Sequence, residues 1–327
     1  MKLIVQIPCF NEEMTLPETV AAIPRQIVGI DAVEILVIND GSTDQTVEVA
    51  KRLGVDHIIS HTRNKGLALS FMTGIEACLE RGADIIVNTD GDNQYCGADI
   101  PRLIQPILDG NADIVIGDRE TAKVPHFGRI KKLLQKTGSL LVRWLSQTQV
   151  PDAVSGFRAF SRDAAMQINI VSRYSYTIET VIQAGSKSFA IESVPVRTNA
   201  KTRESRLFKN IPVFIFNQIN TMVRMYTMFK PLKAFFILGS ICLIFGMIPT
   251  SRFLYFYMIG EGGGHIQSLI MAAVLFIVGF QVIVLGLLGD VISHNRKLIE
   301  ETLLRVRRME FDKRDKDEED KEIRRAG

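Results

Sequence analysis

Two long apolar stretches near the C-terminal end constrain this chain more than any other feature. Residues 234–259 contain one charged side chain, Arg252, and residues 266–289 contain none. Each stretch is longer than the roughly 20 apolar residues that a helix needs to cross a lipid bilayer. The glycine-rich segment 260–265 between them is too short for a domain. The sequence therefore predicts a hairpin of two transmembrane helices within residues 231–290, and hence an integral membrane protein.

Basic residues flank the hairpin on both sides but are absent from its connecting turn. They are Arg224, Lys230, Lys233, His294, Arg296, Lys297, Arg305, Arg307 and Arg308. Because Lys and Arg are enriched on the cytoplasmic side of membrane proteins, we expect both chain ends in the cytoplasm and the turn outside. Residues 291–327 carry charges of both signs, which is typical of a solvated helical tail.

The part of the chain before the hairpin alternates short apolar runs with amphipathic stretches. Predicted strands cover residues 3–7, 34–38, 55–59, 84–88 and 113–117, and predicted helices include residues 16–23 and 67–81. Thr15 and Glu18 have the spacing of a capping box at the first helix. Strands rich in valine and isoleucine that alternate with helices indicate a Rossmann-like, mostly parallel sheet covered on both faces.

Polar residues follow each predicted strand. The segments concerned are residues 11–12, 40–44, 63–66, 90–92 and 117–119. In open α/β sheets ligands bind outside the carboxyl ends of the strands, so we expect these loops to converge on one site. Any one of them could be an ordinary turn, but five at the same edge of a sheet indicate a binding site.

Asp90 and Asp92 flank a single glycine at the end of the fourth predicted strand. This spacing allows two carboxylates to reach one hard divalent cation, and Gln94 can add a neutral oxygen. Oxygen ligands without histidine or cysteine indicate Mg²⁺ or Mn²⁺, which usually keeps several waters and bridges substrate phosphates. The sequence therefore predicts a metal site at this strand end.

Two stretches, residues 127–144 and 207–229, combine apolar residues at helical spacing with lysine and arginine. Basic amphipathic helices near a membrane hairpin are typical of helices that lie in the lipid headgroup plane. The alternative is that their apolar faces pack on the preceding domain.

Four motifs in the first part of the chain point to one family. They are Pro8-Cys9-Phe10-Asn11-Glu12-Glu13, Asn39-Asp40-Gly41-Ser42-Thr43-Asp44, Asn88-Thr89-Asp90-Gly91-Asp92-Asn93-Gln94 and Ser155-Gly156-Phe157-Arg158. In this order they resemble the motifs of family-2 glycosyltransferases. The likeness is strongest to the polyprenyl-phosphate branch, which includes dolichyl-phosphate mannose synthases and bacterial undecaprenyl-phosphate glucosyltransferases. It covers residues 1–230, and the C-terminal hairpin also matches the bacterial members.

The resemblance implies a GT-A fold that binds a nucleotide-sugar together with a divalent metal ion. The positions that match the nucleotide-sugar site are Pro8, Phe10, Asn11, Glu12, Asp40, Lys65, Asp90, Gly91, Asp92 and Arg119. Asp90, Asp92 and Gln94 match the metal ligands of the family. Asp90 and Asp92, with Asp152 on the loop near the reacting sugar, are the candidate catalytic residues.

Basic residues before the first membrane span are candidates for binding the phosphate of a lipid acceptor, because guanidinium groups bind phosphate oxygens in pairs. The candidates are the arginines Arg129, Arg197, Arg203 and Arg206, together with the hydroxyl residue Ser205. The chain departs from the family pattern here, since Ala200 stands where the basic motif begins with arginine and Arg203 where it has glycine. Which residue holds the phosphate stays open, and a solvated surface is the alternative for residues 201–209.

The predicted reaction is the inverting transfer of a sugar from a UDP- or GDP-linked donor to a polyprenyl phosphate, for modification of cell-envelope glycans. A lipid phosphate is already an anion and can attack without a strong base, so the task of the protein is positioning and charge neutralisation. One alternative is a chain-elongating polysaccharide synthase, but the Q-x-x-R-W motif is absent around Arg143-Trp144. The other is a non-catalytic membrane scaffold or lipid-binding protein, which the acidic motifs disfavour.

This interpretation divides the chain into four parts. Residues 1–206 would form the cytoplasmic catalytic domain, 207–230 an interfacial helix, 231–290 the transmembrane pair and 291–327 the tail. The expected partners are a nucleotide-sugar donor, a polyprenyl phosphate acceptor and membrane lipids. The net charge of +3 is too small to indicate nucleic-acid binding. Self-association through the hairpin or the tail stays open.

Overall fold

The computed structural model describes residues 1–120, 148, 150–171, 176–199, 220, 223, 224 and 226–326, with side chains as far as Phe311 and at Lys313. The chain forms two compact units, one made of Met1–Met222 with Leu304–Gly327 and the other of Val223–Leu303. The basic amphipathic stretches predicted at 127–144 and 207–229 lie wholly or largely outside the described residues. Interfacial helices, and the four-part division of the chain, therefore stay predictions.

The first unit is built on a sheet of seven described strands. They are β1 (Lys2–Cys9), β2 (Ala32–Asn39), β3 (His57–Ser60), β4 (Ile85–Asn88), β5 (Ile114–Asp118), β6 (Arg158–Ser161) and β7 (Ile191–Pro195). The strand order is β3-β2-β1-β4-β6-β5-β7. The first five match the predicted strands to within two residues, and β6 and β7 were not predicted.

The sheet is mostly parallel, as predicted. Strand β1 pairs in parallel with β2 and β4, β2 with β3, and β5 with β7. Strand β6 runs antiparallel between β4 and β5. The sheet is therefore a mixed one, and the reversed strand β6 brings the segment before it, residues 152–157, to the carboxyl ends of β4 and β5.

Helices follow the strands of this unit. Those described are α1 (Leu16–Ala21), α2 (Thr46–Arg52), α3 (Leu67–Glu80), α4 (Ile100–Leu108), α5 (Arg162–Gln167) and α6 (Tyr176–Ser186). The predicted helices at 16–23 and 67–81 are confirmed as α1 and α3. The capping box is wrong, because the Thr15 side chain makes no cap hydrogen bond to α1. Its single hydroxyl hydrogen is shared instead between the Glu12 carboxylate and the Gly91 carbonyl oxygen.

The core explains why the strands could be recognised. From residue 3 onward β1 is buried on both faces, and β2 is buried over its last five residues. Burying a valine, leucine or isoleucine side chain contributes about 1.5–3 kcal/mol. A strand covered on both sides therefore selects a nearly continuous apolar run rather than an alternating one.

The second unit contains helix α7 (Pro231–Met258) and the greater part of helix α8 (Ile266–Ala326). By length and composition α7 and the segment Gly262–Phe311 are candidate membrane spans, and only 17% of the apolar window of each is buried. Glycines line the contact between the helices. A Cβ on Gly239 would lie 2.7 Å from the Gly279 carbonyl oxygen, and one on Gly279 would lie 3.0 Å from that of Gly239. Such close approach is typical of helix pairs in membranes.

The tail is helical, as predicted, but a part of it is not fully solvated. From Leu304 onward it belongs to the first unit. There the Arg307 guanidinium donates to the Met166 carbonyl oxygen at 2.9 Å, and that of Arg308 to the Asp163 carboxylate at 3.2 Å. The tail therefore docks on helix α5 through Arg307 and Arg308.

Candidate active site

The site lies where the strand order reverses. In the sheet, β2 is the neighbour of β1 on one side and β4 is its neighbour on the other. The connections that leave the carboxyl ends of β1 and β4 consequently diverge, which opens the crevice where α/β sheets bind ligands. The Thr15 hydroxyl joins the two loops across this point by donating to the Gly91 carbonyl oxygen at 2.7 Å. Sequence reasoning missed this role of Thr15.

The loops after β1 and β2 form one framework. The Asn11 N–H donates to the Ser42 hydroxyl at 2.9 Å, and the Asn11 side-chain oxygen accepts the Thr43 N–H at 2.8 Å. The Glu12 N–H donates to the Thr46 hydroxyl at 2.9 Å. Asn11 adopts the left-handed conformation, with φ 55°, which asparagine tolerates better than most residues. The predicted nucleotide-sugar residues Phe10, Asn11 and Glu12 thus lie on a braced loop, and Pro8 lies near the end of β1 just before it.

Asp40 is buried below this framework and organises the loop after β3. Its Oδ1 accepts the Lys65 N–H at 2.8 Å and lies 2.8 Å from Nδ1 of His61, and its Oδ2 accepts the Gly66 N–H at 2.9 Å. Both carboxylate oxygens therefore have partners within the protein. Burial raises the pKa of this carboxyl, but the hydrogen bonds from His61 and the two backbone N–H groups outweigh it, so the pKa lies below its ordinary value. Lys65 itself is exposed.

Gly41 explains how that loop comes so close. It has φ 69°, and a Cβ there would lie 2.5 Å from the carbonyl carbon of Arg63 and 2.6 Å from the backbone nitrogen of Asn64. Backbone atoms cannot move aside as a flexible side chain can. Only glycine therefore allows the loop before α3 to pack against the turn after β2.

Asp90, Gly91 and Asp92 follow β4 at the centre of the crevice, and both aspartates are half-buried. A Cβ on Gly91 would lie 3.0 Å from the Cys9 sulfur and 3.3 Å from Cγ of Glu12, so the bend packs tightly on the loop after β1. The Gln94 side-chain N–H donates to the Asp92 carboxylate at 2.8 Å. The structure thus places the three predicted metal ligands on one loop at the switch point.

The donor set fits a hard divalent cation that retains water and bridges substrate oxygens. Among the described residues no group of three or more His, Cys, Asp or Glu side chains is arranged to hold a metal on its own. Two carboxylates and one amide oxygen leave coordination positions for water or diphosphate oxygens. Mg²⁺ is usually bound in this way rather than in an all-protein cage.

Arg119, from the loop after β5, forms an ion pair with Asp152. The Arg119 guanidinium donates from Nε to Oδ2 of Asp152 at 2.7 Å and from Nη2 to Oδ1 at 3.0 Å. Asp152 is 2% exposed. Burial alone would lower the pKa of Arg119, but the neighbouring acidic groups of Tyr95, Asp152 and Asp90 raise it above its ordinary value. The structure therefore brings a fixed positive charge next to the candidate metal site.

Arg158 holds the loop that carries Asp152, a role that sequence reasoning missed. Its side chain is fully buried and donates to the carbonyl oxygens of Ser155 and Ala153, each at 2.8 Å, and to the Thr180 hydroxyl. Burial lowers the pKa of Arg158 to about 10, so the guanidinium remains charged at neutral pH. The signal in the sequence was an arginine between apolar residues, with Phe157 before it and Ala159 and Phe160 after it.

The predicted lipid-phosphate residues are only partly described. Arg129, Arg203, Ser205 and Arg206 lie outside the described residues. Arg197 is exposed and pairs with Asp99, from Nη2 to Oδ1 at 2.7 Å, and its backbone N–H donates to the same carboxylate at 2.7 Å. Burial raises the pKa of Asp99, but these contacts outweigh it and hold the pKa below its ordinary value. The structure thus gives Arg197 a partner within the protein.

The fold and the site together define an α/β enzyme whose reaction centre lies at the switch point of a mostly parallel sheet. Residues 4–169 match the family model described as Glycosyl transferase family 2. The chain belongs to this family, and the protein is a glycosyltransferase. The predicted GT-A fold and family membership are both confirmed.

Relatives with named activities agree with this assignment. The chain is 30% identical over 215 residues to the UDP-N-acetylglucosamine–dolichyl-phosphate N-acetylglucosaminyltransferase of Methanococcus voltae, covering 59% of this chain and 83% of the relative. It is 27% identical over 206 residues to the polyprenol monophosphomannose synthase of Mycolicibacterium smegmatis, covering 60% and 76%.

A solved structure shares the fold. It is glucosyl-3-phosphoglycerate synthase from Mycobacterium tuberculosis in complex with Mn²⁺, uridine diphosphate and phosphoglyceric acid, with a TM-score of 0.56 and 22% identity. The match covers 69% of this chain and 78% of the other.

Proposed function

We propose that this glycosyltransferase transfers a sugar from a UDP- or GDP-linked donor to a polyprenyl phosphate, with inversion at the anomeric carbon. The observation that carries the proposal is the electrostatic interaction of Arg119 with Asp90, the first aspartate of the loop after β4, in a chain that also contains two helices of membrane-spanning length. Such a site suits a charged diphosphate, and such helices suit an insoluble acceptor. The names of the relatives from M. voltae and M. smegmatis support the same acceptor class.

In this proposal Asp90 and Asp92, assisted by Gln94, hold a divalent metal ion, either Mg²⁺ or Mn²⁺. When bound, the metal would neutralise negative charge on the donor diphosphate. The M. tuberculosis synthase, which shares the fold, was solved in complex with Mn²⁺ and uridine diphosphate. The oxygen donor set of the present chain is of the kind that such ions prefer.

Arg119 is assigned to the donor diphosphate. Asp152 holds the guanidinium in place through two hydrogen bonds, so Arg119 is preorganised and loses little side-chain entropy when a phosphate binds. The end of β1 and the loop after it are assigned to the nucleoside, with Pro8, Phe10, Asn11 and Glu12 as contacts. Asp40 would act mainly by fixing the loop that carries Lys65.

The chemical step needs no general base from the protein. An oxygen of the acceptor phosphate forms a bond to the anomeric carbon from the face opposite the diphosphate, while the bond to the diphosphate oxygen breaks and its electron pair leaves with the nucleoside diphosphate. One displacement inverts the anomeric configuration. The protein contributes alignment of two anions and compensation of their charge, which in a water-poor site accounts for much of a rate enhancement.

The two candidate membrane spans would hold this chemistry at a lipid surface. We assign α7 and the apolar part of α8 to a transmembrane hairpin, with the first unit and both chain ends in the cytoplasm. The proposed contacts of the lipid phosphate remain Arg129, Arg197, Arg203, Ser205 and Arg206. Such a headgroup would lie at the depth of interfacial helices.

A transfer assay with matched variants tests the metal assignment. Membranes containing the protein receive labelled UDP- or GDP-sugars and undecaprenyl phosphate, with and without a chelator. Label should enter an acid-labile lipid. Both the chelator and the Asp92→Ala substitution should abolish this incorporation. Asp109→Ala, on the exposed end of α4, is the control and should transfer normally. Full activity of Asp92→Ala would overturn the metal assignment.

A further inference from the structure

Gly156 lies directly against the Asp90 carboxylate. A Cβ added to Gly156 would be 2.9 Å and 3.0 Å from the two carboxylate oxygens of Asp90, and 3.0 Å from the Tyr176 hydroxyl. The carboxylate and the hydroxyl therefore border the same small space above the Gly156 backbone. The position of the Gly156 backbone therefore limits the positions that the Asp90 carboxylate can take.

Buried side chains hold this backbone on both sides. The Gly156 N–H donates to the Tyr95 hydroxyl oxygen at 2.9 Å. The Gly156 carbonyl oxygen accepts from the Asn88 side chain at 2.9 Å and from the Tyr176 hydroxyl at 3.2 Å. Asn88 also donates to the Tyr176 oxygen at 2.8 Å, and its own side-chain oxygen accepts from Gln6 at 2.9 Å.

The residues of this network come from distant parts of the chain and cannot shift independently. Asn88 and Tyr176 are fully buried, and Tyr95 is 5% exposed. The Tyr176 ring stacks on Phe71 with 4.0 Å between ring centroids, and the Tyr95 ring on Phe157 with 5.2 Å. A satisfied polar network in a closely packed interior is rigid and specifies one arrangement.

We propose that Asn88, Tyr95 and Tyr176 are positioning residues that, by fixing the Gly156 backbone, set the orientation of Asp90 for binding a divalent cation and the donor diphosphate. None of the three needs to touch substrate. The inference rests on the proposed function in so far as that function assigns the metal to Asp90. Its chemistry is that of a second layer of contacts behind a metal ligand, where substitutions typically cost about 10- to 100-fold in metal affinity or activity.

Two variants test the network without removing a metal ligand. Tyr176→Phe keeps the ring stacked on Phe71 and deletes only the hydroxyl. Gly156→Ala adds a methyl group in the space next to Asp90. Tyr255→Phe is the matched control. It also removes one tyrosine hydroxyl, but from an exposed part of α7 in the second unit.

The readout is Mn²⁺ binding to the full-length protein in detergent, followed by electron paramagnetic resonance without any sugar donor. Tyr176→Phe should weaken Mn²⁺ binding by about 10-fold, and Gly156→Ala by about 100-fold. Both should keep a cooperative thermal unfolding transition, and Tyr255→Phe should match the unchanged protein. Wild-type Mn²⁺ affinity in the folded Tyr176→Phe and Gly156→Ala proteins would overturn the proposal.

The same experiment separates this inference from the proposed function. If the unchanged protein binds Mn²⁺, the two variants lose it and no donor labels a polyprenyl phosphate, the positioning network stands and the proposed acceptor is wrong. If transfer occurs but both variants bind Mn²⁺ normally, the network is wrong and the function stands. An unchanged protein that binds no Mn²⁺ would count against both.

Discussion

The Arg119 guanidinium binds the carboxylate of Asp152 through two hydrogen bonds, from Nε to Oδ2 at 2.7 Å and from Nη2 to Oδ1 at 3.0 Å. The pair joins the end of β5 to the loop before β6. Asp152 is almost completely buried, and a buried carboxylate is tolerated only when it is paired. The contact therefore both stabilises the first unit and orients the cation that we assign to the donor diphosphate.

Replacing Arg119 with methionine should destabilise the protein strongly, because it leaves Asp152 buried without a counter-charge. Removing one partner of a buried ion pair costs about 3–5 kcal/mol in the free energy of unfolding. The double variant Arg119→Met with Asp152→Asn should regain a large part of this loss, since the unpaired charge is then absent. Chemical denaturation of the full-length protein in detergent measures both values.

Sugar transfer separates the structural role of this pair from its functional role. If Arg119 binds the diphosphate, the double variant should stay inactive although its stability recovers. Recovery of transfer together with stability would show that Arg119 acts only as a structural partner of Asp152.

The acid stability of the protein should depend on Asp40. Its pKa lies below its ordinary value because, although burial raises it, hydrogen bonds from His61 and two backbone N–H groups prevail. A carboxyl with a lowered pKa stabilises the fold above its unfolded pKa of about 3.9, and this contribution is lost as the pH falls through the lowered folded pKa. Asp40→Asn should therefore cost about 1–3 kcal/mol at neutral pH and flatten the acid dependence below about pH 4.

Urea unfolding across that pH range is the measurement. Asp109→Asn, which alters an exposed carboxylate, is the control and should leave the pH profile unchanged. An Asp40→Asn profile parallel to that of the unchanged protein would show that the hydrogen bonds of Asp40 do not stabilise the folded state.

The elements predicted well from the sequence are those whose local pattern is dictated by burial. Strands β1 and β2 are covered on both faces and so appear as apolar runs. The polar loops that follow them were predicted to converge because parallel strands end at one edge of a sheet. Strand β6 was missed because it starts with a buried arginine and ends with a serine, so it has no continuous apolar run. Strand β7 was missed because it is only partly buried.

Contacts between distant residues could not be predicted. Asn88 and Tyr176 are 88 positions apart, and neither has a spacing that marks it as a partner of the other. Thr15 has the spacing of a helix cap, but its hydroxyl finds acceptors in Glu12 and in the Gly91 carbonyl instead. The spacing of residues near Thr15 indicates only that a helix begins there. Its hydrogen bond to Gly91 depends on a loop 76 positions away in the sequence.

The hairpin should depend on the close approach of its glycines. In Gly279→Val the new Cβ would meet Leu243 at 2.8 Å and the Gly239 carbonyl oxygen at 3.0 Å, and the backbone oxygen cannot rotate away. Overpacking of this kind costs about 1–3 kcal/mol, so the thermal midpoint in detergent should fall. Gly264→Val is the control, because a Cβ there has no atom within 4 Å. Equal midpoints for both variants would contradict the packing described for α7 and α8.

The turn between the two helices should be reachable from outside the cell. A short epitope inserted at Gly263, where a side chain has room, should be labelled in intact cells, and one at Gly327 only after permeabilisation. The expectation follows from the basic residues on the other side of the hairpin. Protection of the Gly263 epitope in intact cells would reverse the assigned orientation.

The product should carry the opposite anomeric configuration from the donor, because a single displacement by the acceptor phosphate inverts the anomeric carbon. Nuclear magnetic resonance of the sugar phosphate released from the lipid determines its configuration. Retention would require a covalent or dissociative route and would contradict the proposed step.

The most direct test of the account is mass spectrometry of the lipid product. Purified full-length protein receives Mn²⁺ and each UDP- or GDP-sugar in turn, with either undecaprenyl phosphate or undecaprenol as acceptor. We predict that at least one donor gives a lipid whose mass equals undecaprenyl phosphate plus one sugar residue, and that undecaprenol gives no product. Sugar transfer to undecaprenol at the same rate, or transfer only to acceptors without a lipid phosphate, would contradict the account.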